Sequence, residues 1–133
     1  MLPPGARRLV AGSHLFHSSV CIAELAYAFG RLDPAHPETS TAFKFIRNAL
    51  ARVRAYRTLA PDRDAYVEAG IITGTLVRTQ GLGVPERRKL MQDVLVFLTA
   101  CQIGYPVLTA NTSDFDLIQQ LAPRGKVIYY NPL

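Results

Sequence analysis

The chain reads Val107-Leu108-Thr109-Ala110-Asn111-Thr112-Ser113-Asp114-Phe115 at the point where its fold class is clearest. The first three residues have the apolar and β-branched character of a buried strand, and Asn111 to Ser113 are turn formers. Asp114 then begins a short helix that the pattern carries to Leu121. A strand followed at once by a turn and a helix is the repeating unit of a parallel α/β sheet.

The same alternation of strands and helices continues on both sides of this stretch. Ser18 or Ser19 can cap a helix at 20–29, Gly30 can end that helix in a left-handed conformation, and Pro85 can begin a later one. The two middle helices are expected to pair as a hairpin. Strands are predicted at 15–17, 107–109 and 127–130, and helices at about 20–29, 39–57, 62–79, 85–104 and 114–121.

This order predicts an α/β protein with three layers, in which a central parallel sheet is flanked by helices. The helix at 20–29 is apolar nearly all round, so it is expected to be buried. A length of 133 residues suits one core, and we expect a single domain over 1–133.

The composition excludes several classes of protein. Hydrophobic residues make up 49% of the chain and charged residues 19%, which is the balance of a folded protein and not of a disordered one. Its two cysteines, Cys21 and Cys101, form no CxxC pair, so neither a disulfide framework nor a zinc cage is expected. No stretch has the pattern of a membrane span or a secretory signal, and the expected location is the cytoplasm.

The positive charge is concentrated in one part of the chain. The net charge is +5, and residues 44–89 hold ten basic residues against four acidic ones. A solvated helix face is one interpretation, and a surface that binds a phosphate backbone is the other. The candidates for nucleic-acid binding are Lys44, Arg47, Arg54, Arg87 and Arg88.

Three carboxylates lie in unusual surroundings. Glu24 is the only charged residue between 18 and 30, and Asp93 is the only one between 90 and 113. Asp114 follows the strand at 107–109, at the sheet edge where sites assemble in parallel folds. Since an unpaired buried carboxylate is costly, each is expected to be protonated, to pair with a cation or to bind a metal. Three such acids at one edge would suit Mg²⁺ or Mn²⁺ and phosphodiester cleavage.

A purely structural interpretation of the same acids stays open. Each helix acid can lie on an exposed or salt-bridged stripe, and Lys89 is placed one turn before Asp93 for an ordinary ion pair. Asp114 can be the N-cap of the helix that it begins.

Three segments resemble the PIN domain family, and within it the VapC-like toxin ribonucleases of toxin–antitoxin pairs. They are SSVCIAEL at 18–25, DVLVFLTA at 93–100 and VLTANTSDF at 107–115, which are similar to the family's "SsvtlaEL", "DalIaatA" and "lvTxNxxDF". The resemblance implies a Mg²⁺- or Mn²⁺-dependent endoribonuclease that is usually dimeric and is silenced by a cognate antitoxin protein. It implies that Glu24, Asp93 and Asp114 are the catalytic acids and metal ligands, that Asn111 and Thr109 support them, and that Asp116 is a weaker substitute.

The chain departs from the family pattern at its start. PIN domains open with a central strand that ends in Asp, of the form "yllDTnv", whereas this chain opens MLPPGARR. We therefore expect a PIN-like domain whose first strand and first catalytic Asp are missing, and whose activity is impaired. The alternative is a non-catalytic PIN-like protein that binds an antitoxin-like partner or RNA. A receiver-like regulator is disfavoured, because no phosphoacceptor Asp follows a central strand.

Overall fold

The computed structural model describes residues 2–133, which form six helices, one 3₁₀ turn and four short strands. The helices are α1 Pro4–Ala11, α2 Ser19–Gly30, α3 Thr39–Arg52, α4 Arg63–Gln80, α5 Val84–Gln102 and α6 Thr112–Leu121. The strands are β1 His17–Ser18, β2 Thr58–Leu59, β3 Val107–Thr109 and β4 Val127–Tyr129, and the 3₁₀ turn is Ala55–Arg57. No helix in this part of the chain is long and apolar enough to cross a membrane.

The strands pair in parallel, as predicted, but they do not form one central sheet within residues 2–133. β1 pairs with β2, and β3 pairs with β4, which gives two separate two-stranded sheets. The strand β2 was not predicted. The predicted helix ran to Arg57, whereas α3 ends at Arg52 and the chain continues through the 3₁₀ turn into β2. Strands of two or three residues carry too few side chains for an alternating pattern to reveal them. The α/β class is confirmed, and the single sheet is not.

The chain divides into two compact units. One contains the N-terminal segment up to Leu15 together with Pro61–Leu133, and the other is Phe16–Ala60. Within their own units, α3 packs on α2 and α4 packs on α5, which also contacts α6. Because the two middle helices belong to different units, their pairing as a hairpin stays a prediction.

The core of the larger unit follows the predicted helical spacing. Ala65, Ala69, Ile72 and Leu76 are all buried along one face of α4, as the sequence indicates. They face the buried side chains of α5, among which Phe97 is fully enclosed. The remaining large core residues are Leu90, Val94, Leu95, Leu98, Phe115 and Ile118.

The helix α2 differs most from its prediction. The Ser18 hydroxyl accepts a hydrogen bond from the backbone N–H of Val20 at 3.2 Å, so the predicted cap is confirmed. None of the helix residues is buried, however, and Glu24 is exposed. Gly30 is the last helical residue, and the helix ends without a left-handed glycine. A helix that is apolar all round needs neighbours on every side, and within Phe16–Ala60 the other elements are α3, the 3₁₀ turn and two short strands.

The ring of the core residue Phe97 packs against Gly125 and leaves no room for a side chain there. A Cβ at position 125 would lie 2.6 Å from both Cε atoms of the Phe97 ring. The backbone there cannot shift freely, because the Gly125 N–H donates to the Ala122 carbonyl at 3.2 Å and its own carbonyl accepts from Gln119 Nε2 at 3.0 Å.

Gly125→Ala is therefore expected to lower the free energy of unfolding by about 1–3 kcal/mol, the usual range for overpacking a core. Gly70→Ala is the matched control, because a Cβ at this helical position meets nothing within 4 Å. It should raise the same free energy by roughly 0.4–1 kcal/mol. Urea denaturation of the two variants measures both values, and equal stabilities would contradict the close contact at Gly125.

Asp62 connects the start of α4 to the end of α5. Its Oδ1 accepts hydrogen bonds from Gln102 Nε2 at 2.9 Å and from the Ala65 backbone N–H at 2.8 Å. The Gln102 bond first, and the Ala65 bond second, hold the pKa of Asp62 below its ordinary value of 3.8. Because the folded-state pKa is the lower one, this carboxylate stabilises the fold above pH 3.8 and loses that effect as the pH falls through the folded pKa.

Asp62→Asn keeps a side-chain oxygen for the cap but removes the charge. We expect wild type to melt at a higher temperature than this variant at neutral pH, and we expect the difference to shrink as the pH falls below 3.8. Thermal unfolding of both proteins across the acidic range measures it. A difference that stays constant with pH would show that the Asp62 charge contributes nothing.

Candidate metal centre

The site begins at the carboxyl end of β3, where the chain turns into α6. Asn111 is the N-cap of α6: its Oδ1 accepts from the backbone N–H of Asp114 at 3.2 Å and from Ser113 Oγ at 3.3 Å. Thr109 Oγ1 accepts from the backbone N–H of Asn111 at 3.0 Å, which fixes the turn from the strand side. A capping asparagine uses its carbonyl oxygen on the helix, so its amide nitrogen remains available for other contacts.

That amide nitrogen holds two carboxylates. Asn111 Nδ2 donates to Asp114 Oδ2 at 2.8 Å and to Asp93 Oδ2 at 3.2 Å. Asp93 comes from the middle of α5 and Asp114 from the first turn of α6, so two helices converge on one side chain. We call Asp93, Thr109, Asn111 and Asp114 the Asn111 cluster.

The cluster is half-buried and negatively charged. The Asp114 side chain is 30% exposed, and Lys89 Nζ lies 3.9 Å from its Oδ2, on a side chain that is 66% exposed. Such a solvated pair contributes at most about 1 kcal/mol and does not fully neutralise two acids. The N-terminus of α6 adds a partial positive charge beside Asp114.

These contacts bear on two structural interpretations of the acids, the N-cap role of Asp114 and the ion pair of Lys89. The N-cap of α6 is Asn111, so the interpretation of Asp114 as the cap is wrong. Lys89, which the spacing placed beside Asp93, lies within ion-pair distance of Asp114.

The donor set suits a hard divalent cation. Mg²⁺ is commonly bound through one or two carboxylates while it keeps several waters, and Mn²⁺ accepts the same oxygen ligands. Asp93 and Asp114 supply two carboxylates that already share one hydrogen-bond donor. The residues of the cluster therefore fit one Mg²⁺ or Mn²⁺ ion.

Glu24, the third predicted acid, belongs to the other compact unit. It lies on α2 in Phe16–Ala60 and is exposed, so the expectation that it lies in buried apolar surroundings is wrong. No group of three or more His, Cys, Asp or Glu side chains that could hold a metal ion occurs in residues 2–133. The structure thus describes a two-carboxylate cluster, and the three-acid site stays a prediction. Asp116 is exposed and accepts from Gln120 Nε2 at 3.2 Å.

The predicted basic residues are all at the surface or beside a cleft. Lys44 and Arg47 line a cleft of about 400 Å³ within Phe16–Ala60, together with the aromatic pair Phe29 and Phe43, whose ring centroids are 4.6 Å apart. The sequence pattern did not indicate this cleft, although Phe43 directly precedes Lys44. Arg54, Arg87 and Arg88 are exposed.

Comparison with known proteins gives one structural likeness. No family model matches the chain, and no curated protein matches it. The fold resembles a solved structure of FitAB bound to IR36 DNA fragment, with a TM-score of 0.58, 18% sequence identity, and coverage of 86% of this chain and 71% of that chain. At this identity the likeness concerns the fold alone, and it agrees with the PIN-like α/β fold class that the sequence motifs predict.

Proposed function

We propose that this chain is a Mg²⁺- or Mn²⁺-dependent endoribonuclease of a toxin–antitoxin system, with the Asn111 cluster at its centre. The observation that carries the proposal is the pair of carboxylates held by one amide: Asp93 and Asp114 both accept from Asn111 Nδ2 at the end of a parallel strand. An ordinary helix acid is satisfied by one lysine or by water and does not need a neighbour to bring it to a second acid.

Each residue of the cluster has a separate task in this proposal. Asp93 and Asp114 hold the cation, which when bound activates a water and stabilises the charge that develops on the phosphate. Asn111 orients both carboxylates, and Thr109 fixes the backbone of Asn111. Lys89 offsets part of the negative charge beside Asp114. Glu24 is proposed as the third acid, on the strength of the motif resemblance alone.

The cleft in Phe16–Ala60 supports an RNA substrate. Lys44 and Arg47 lie one helical turn apart on α3 and offer two positive charges to a phosphate backbone. Phe29 and Phe43 add ring surfaces on which an unpaired base can stack. Arg54 in the same unit, and Arg87 and Arg88 in the other unit, are exposed and are proposed as further contacts to the phosphate backbone.

A partner protein belongs to the same proposal. The resemblance to VapC-like toxins implies a cognate antitoxin, and the solved structure that this fold resembles is that of FitAB bound to IR36 DNA fragment. We propose an antitoxin protein as the partner that silences the chain in the cytoplasm, and a homodimer as its oligomeric state.

The second candidate function is binding without catalysis. It is favoured by one specific observation: the cluster contains two carboxylates, not three, within the part of the chain that is described. In that case the chain binds RNA or an antitoxin-like partner through its basic cleft and cuts nothing.

Cleavage of a structured RNA by the purified chain distinguishes the two candidates. The nuclease should produce fragments with Mg²⁺ or Mn²⁺ and none with EDTA. Equal RNA binding with and without the metal, and intact RNA after hours of incubation, would refute the nuclease and establish the binding protein.

A further inference from the structure

Lys89 lies at the border of the Asn111 cluster. It stands on α5 one helical turn before Asp93, and residues four apart on a helix share one face. From that face Asp93 Oδ2 reaches Asn111 Nδ2 at 3.2 Å, and Lys89 Nζ lies 3.9 Å from Asp114 Oδ2. The face of α5 that packs towards α6 therefore presents one positive charge beside two carboxylates.

The contact between Lys89 and Asp114 is loose. A distance of 3.9 Å is outside hydrogen-bond range, so charge attraction alone holds the ammonium there. The Lys89 side chain is 66% exposed, and its flexible stem can swing away without disturbing the packing of α5. An exposed ion pair contributes at most about 1 kcal/mol. Lys89 can therefore leave Asp114 at little cost in free energy.

Lys89 and the proposed cation depend on the same carboxylate. Asp114 is one of the two proposed cation ligands, and it is also the partner of the Lys89 ammonium. Two positive charges that share one carboxylate repel each other, and a divalent ion attracts that carboxylate more strongly than an ammonium does. Lys89 thus competes with the cation for Asp114, and cation binding leaves the ammonium without its partner.

We propose that Lys89 exchanges with the cation at Asp114 and then binds a phosphate of the RNA. This inference rests on the proposed function, and it adds a substrate contact at the Asn111 cluster itself. An ammonium released there is close to any phosphodiester that the bound cation contacts, and lysine binds phosphate oxygens through charge-assisted hydrogen bonds. Without the cation, Lys89 stays with Asp114 and makes no such contact, so the exchange links RNA binding at this point to metal binding.

The exchange predicts that Lys89→Met binds Mn²⁺ more tightly than wild type. Removing the competing charge should lower the Kd for Mn²⁺ by about two- to fivefold, which corresponds to the free energy of an exposed ion pair. Lys89→Arg keeps the charge and should bind Mn²⁺ as wild type does. Lys126→Met is the matched control, because Lys126 is exposed and directly precedes β4, at the end of the sheet opposite Asn111. Electron paramagnetic resonance of free Mn²⁺ measures the affinities.

The phosphate contact predicts the opposite change in RNA binding, and only in the presence of Mn²⁺. For Lys89→Met in Mn²⁺, the Kd for a fluorescein-labelled oligouridylate should rise. The slope of log Kd against log salt should fall by about 0.7, the value for one phosphate of a single strand. In EDTA, wild type and Lys89→Met should have the same slope, and Lys89→Arg and Lys126→Met should keep the wild-type slope in Mn²⁺. Stopped-flow anisotropy records binding before cleavage.

The two measurements together separate this inference from the proposed function. Unchanged Mn²⁺ affinity in Lys89→Met, an unchanged salt slope in Mn²⁺, or an equal loss of RNA binding in Mn²⁺ and in EDTA would overturn the exchange and leave the metal centre standing. A wild type that binds no Mn²⁺ would overturn both. A wild type that shows the exchange but cuts no RNA would refute the nuclease alone. Far-UV circular dichroism checks the folding of each variant, and Lys89→Gln repeats the comparison if Lys89→Met does not fold.

Discussion

Asp93→Asn is expected to reduce Mg²⁺-dependent RNA cleavage by at least about a hundredfold, the scale on which enzymes lose rate when one charge-stabilising group is removed. The substitution is isosteric, and the new amide retains an oxygen that can accept from Asn111 Nδ2, as Asp93 Oδ2 does at 3.2 Å. It therefore removes a cation ligand's charge while leaving the packing of α5 in place. Single-turnover cleavage of a labelled RNA measures the loss.

Glu86→Gln is the matched control for this prediction. Glu86 also lies on α5, about two turns before Asp93, and is exposed in the first turn of that helix. The exchange of carboxylate for amide is the same, so the global charge changes equally. If both variants cleave RNA as fast as wild type, the Asn111 cluster has no part in catalysis.

Replacing Asn111 should separate its two roles. The side chain caps α6 through Oδ1 and holds Asp93 and Asp114 through Nδ2. Asn111→Ala loses both roles, so we expect the free energy of unfolding to fall by about 1 kcal/mol, the usual effect of losing an N-cap. Without the shared donor, the affinity for Mn²⁺ should fall by about 10–100-fold, as it does when residues that orient metal ligands are removed.

Asn111→Ser keeps the cap and removes the amide. Serine is as good an N-cap as asparagine, so this variant should retain wild-type stability in urea denaturation. Its hydroxyl cannot bridge two carboxylates as the amide does, so its Mn²⁺ affinity should fall as far as that of Asn111→Ala. If Asn111→Ser binds Mn²⁺ as wild type does, the Asn111 side chain serves only as the N-cap of α6 and does not orient the carboxylates for the metal.

The sequence predicts best those elements whose pattern is long and local. The buried stripe of α4, from Ala65 to Leu76, follows a helical period over several turns, and its predicted and observed positions agree. The strand β3 and the helix α6 also agree, because a run of β-branched and apolar residues ends at turn formers. Such signals depend on neighbouring residues and need no knowledge of tertiary packing.

The burial of α2 could not be predicted in the same way. The apolar composition of α2 indicates that burial would stabilise it, whereas its actual exposure depends on which elements pack around it. The bridging role of Asn111 was hidden for a different reason. Asparagine and aspartate are equally good N-caps, so the sequence could not choose between Asn111 and Asp114, and the choice determines which side chain is free to hold Asp93.

The central claim is that Asp93 and Asp114 together bind one divalent ion, and Mn²⁺ binding followed by electron paramagnetic resonance tests it without any RNA. Wild type should bind one Mn²⁺ per chain, Asp93→Asn and Asp114→Asn should each lose most of that affinity, and Glu86→Gln should keep it. Glu24→Gln, measured alongside, decides whether the predicted third acid contributes. If wild type binds no Mn²⁺, or binds it equally well after both Asp93→Asn and Asp114→Asn, the account of the Asn111 cluster as a metal centre is wrong.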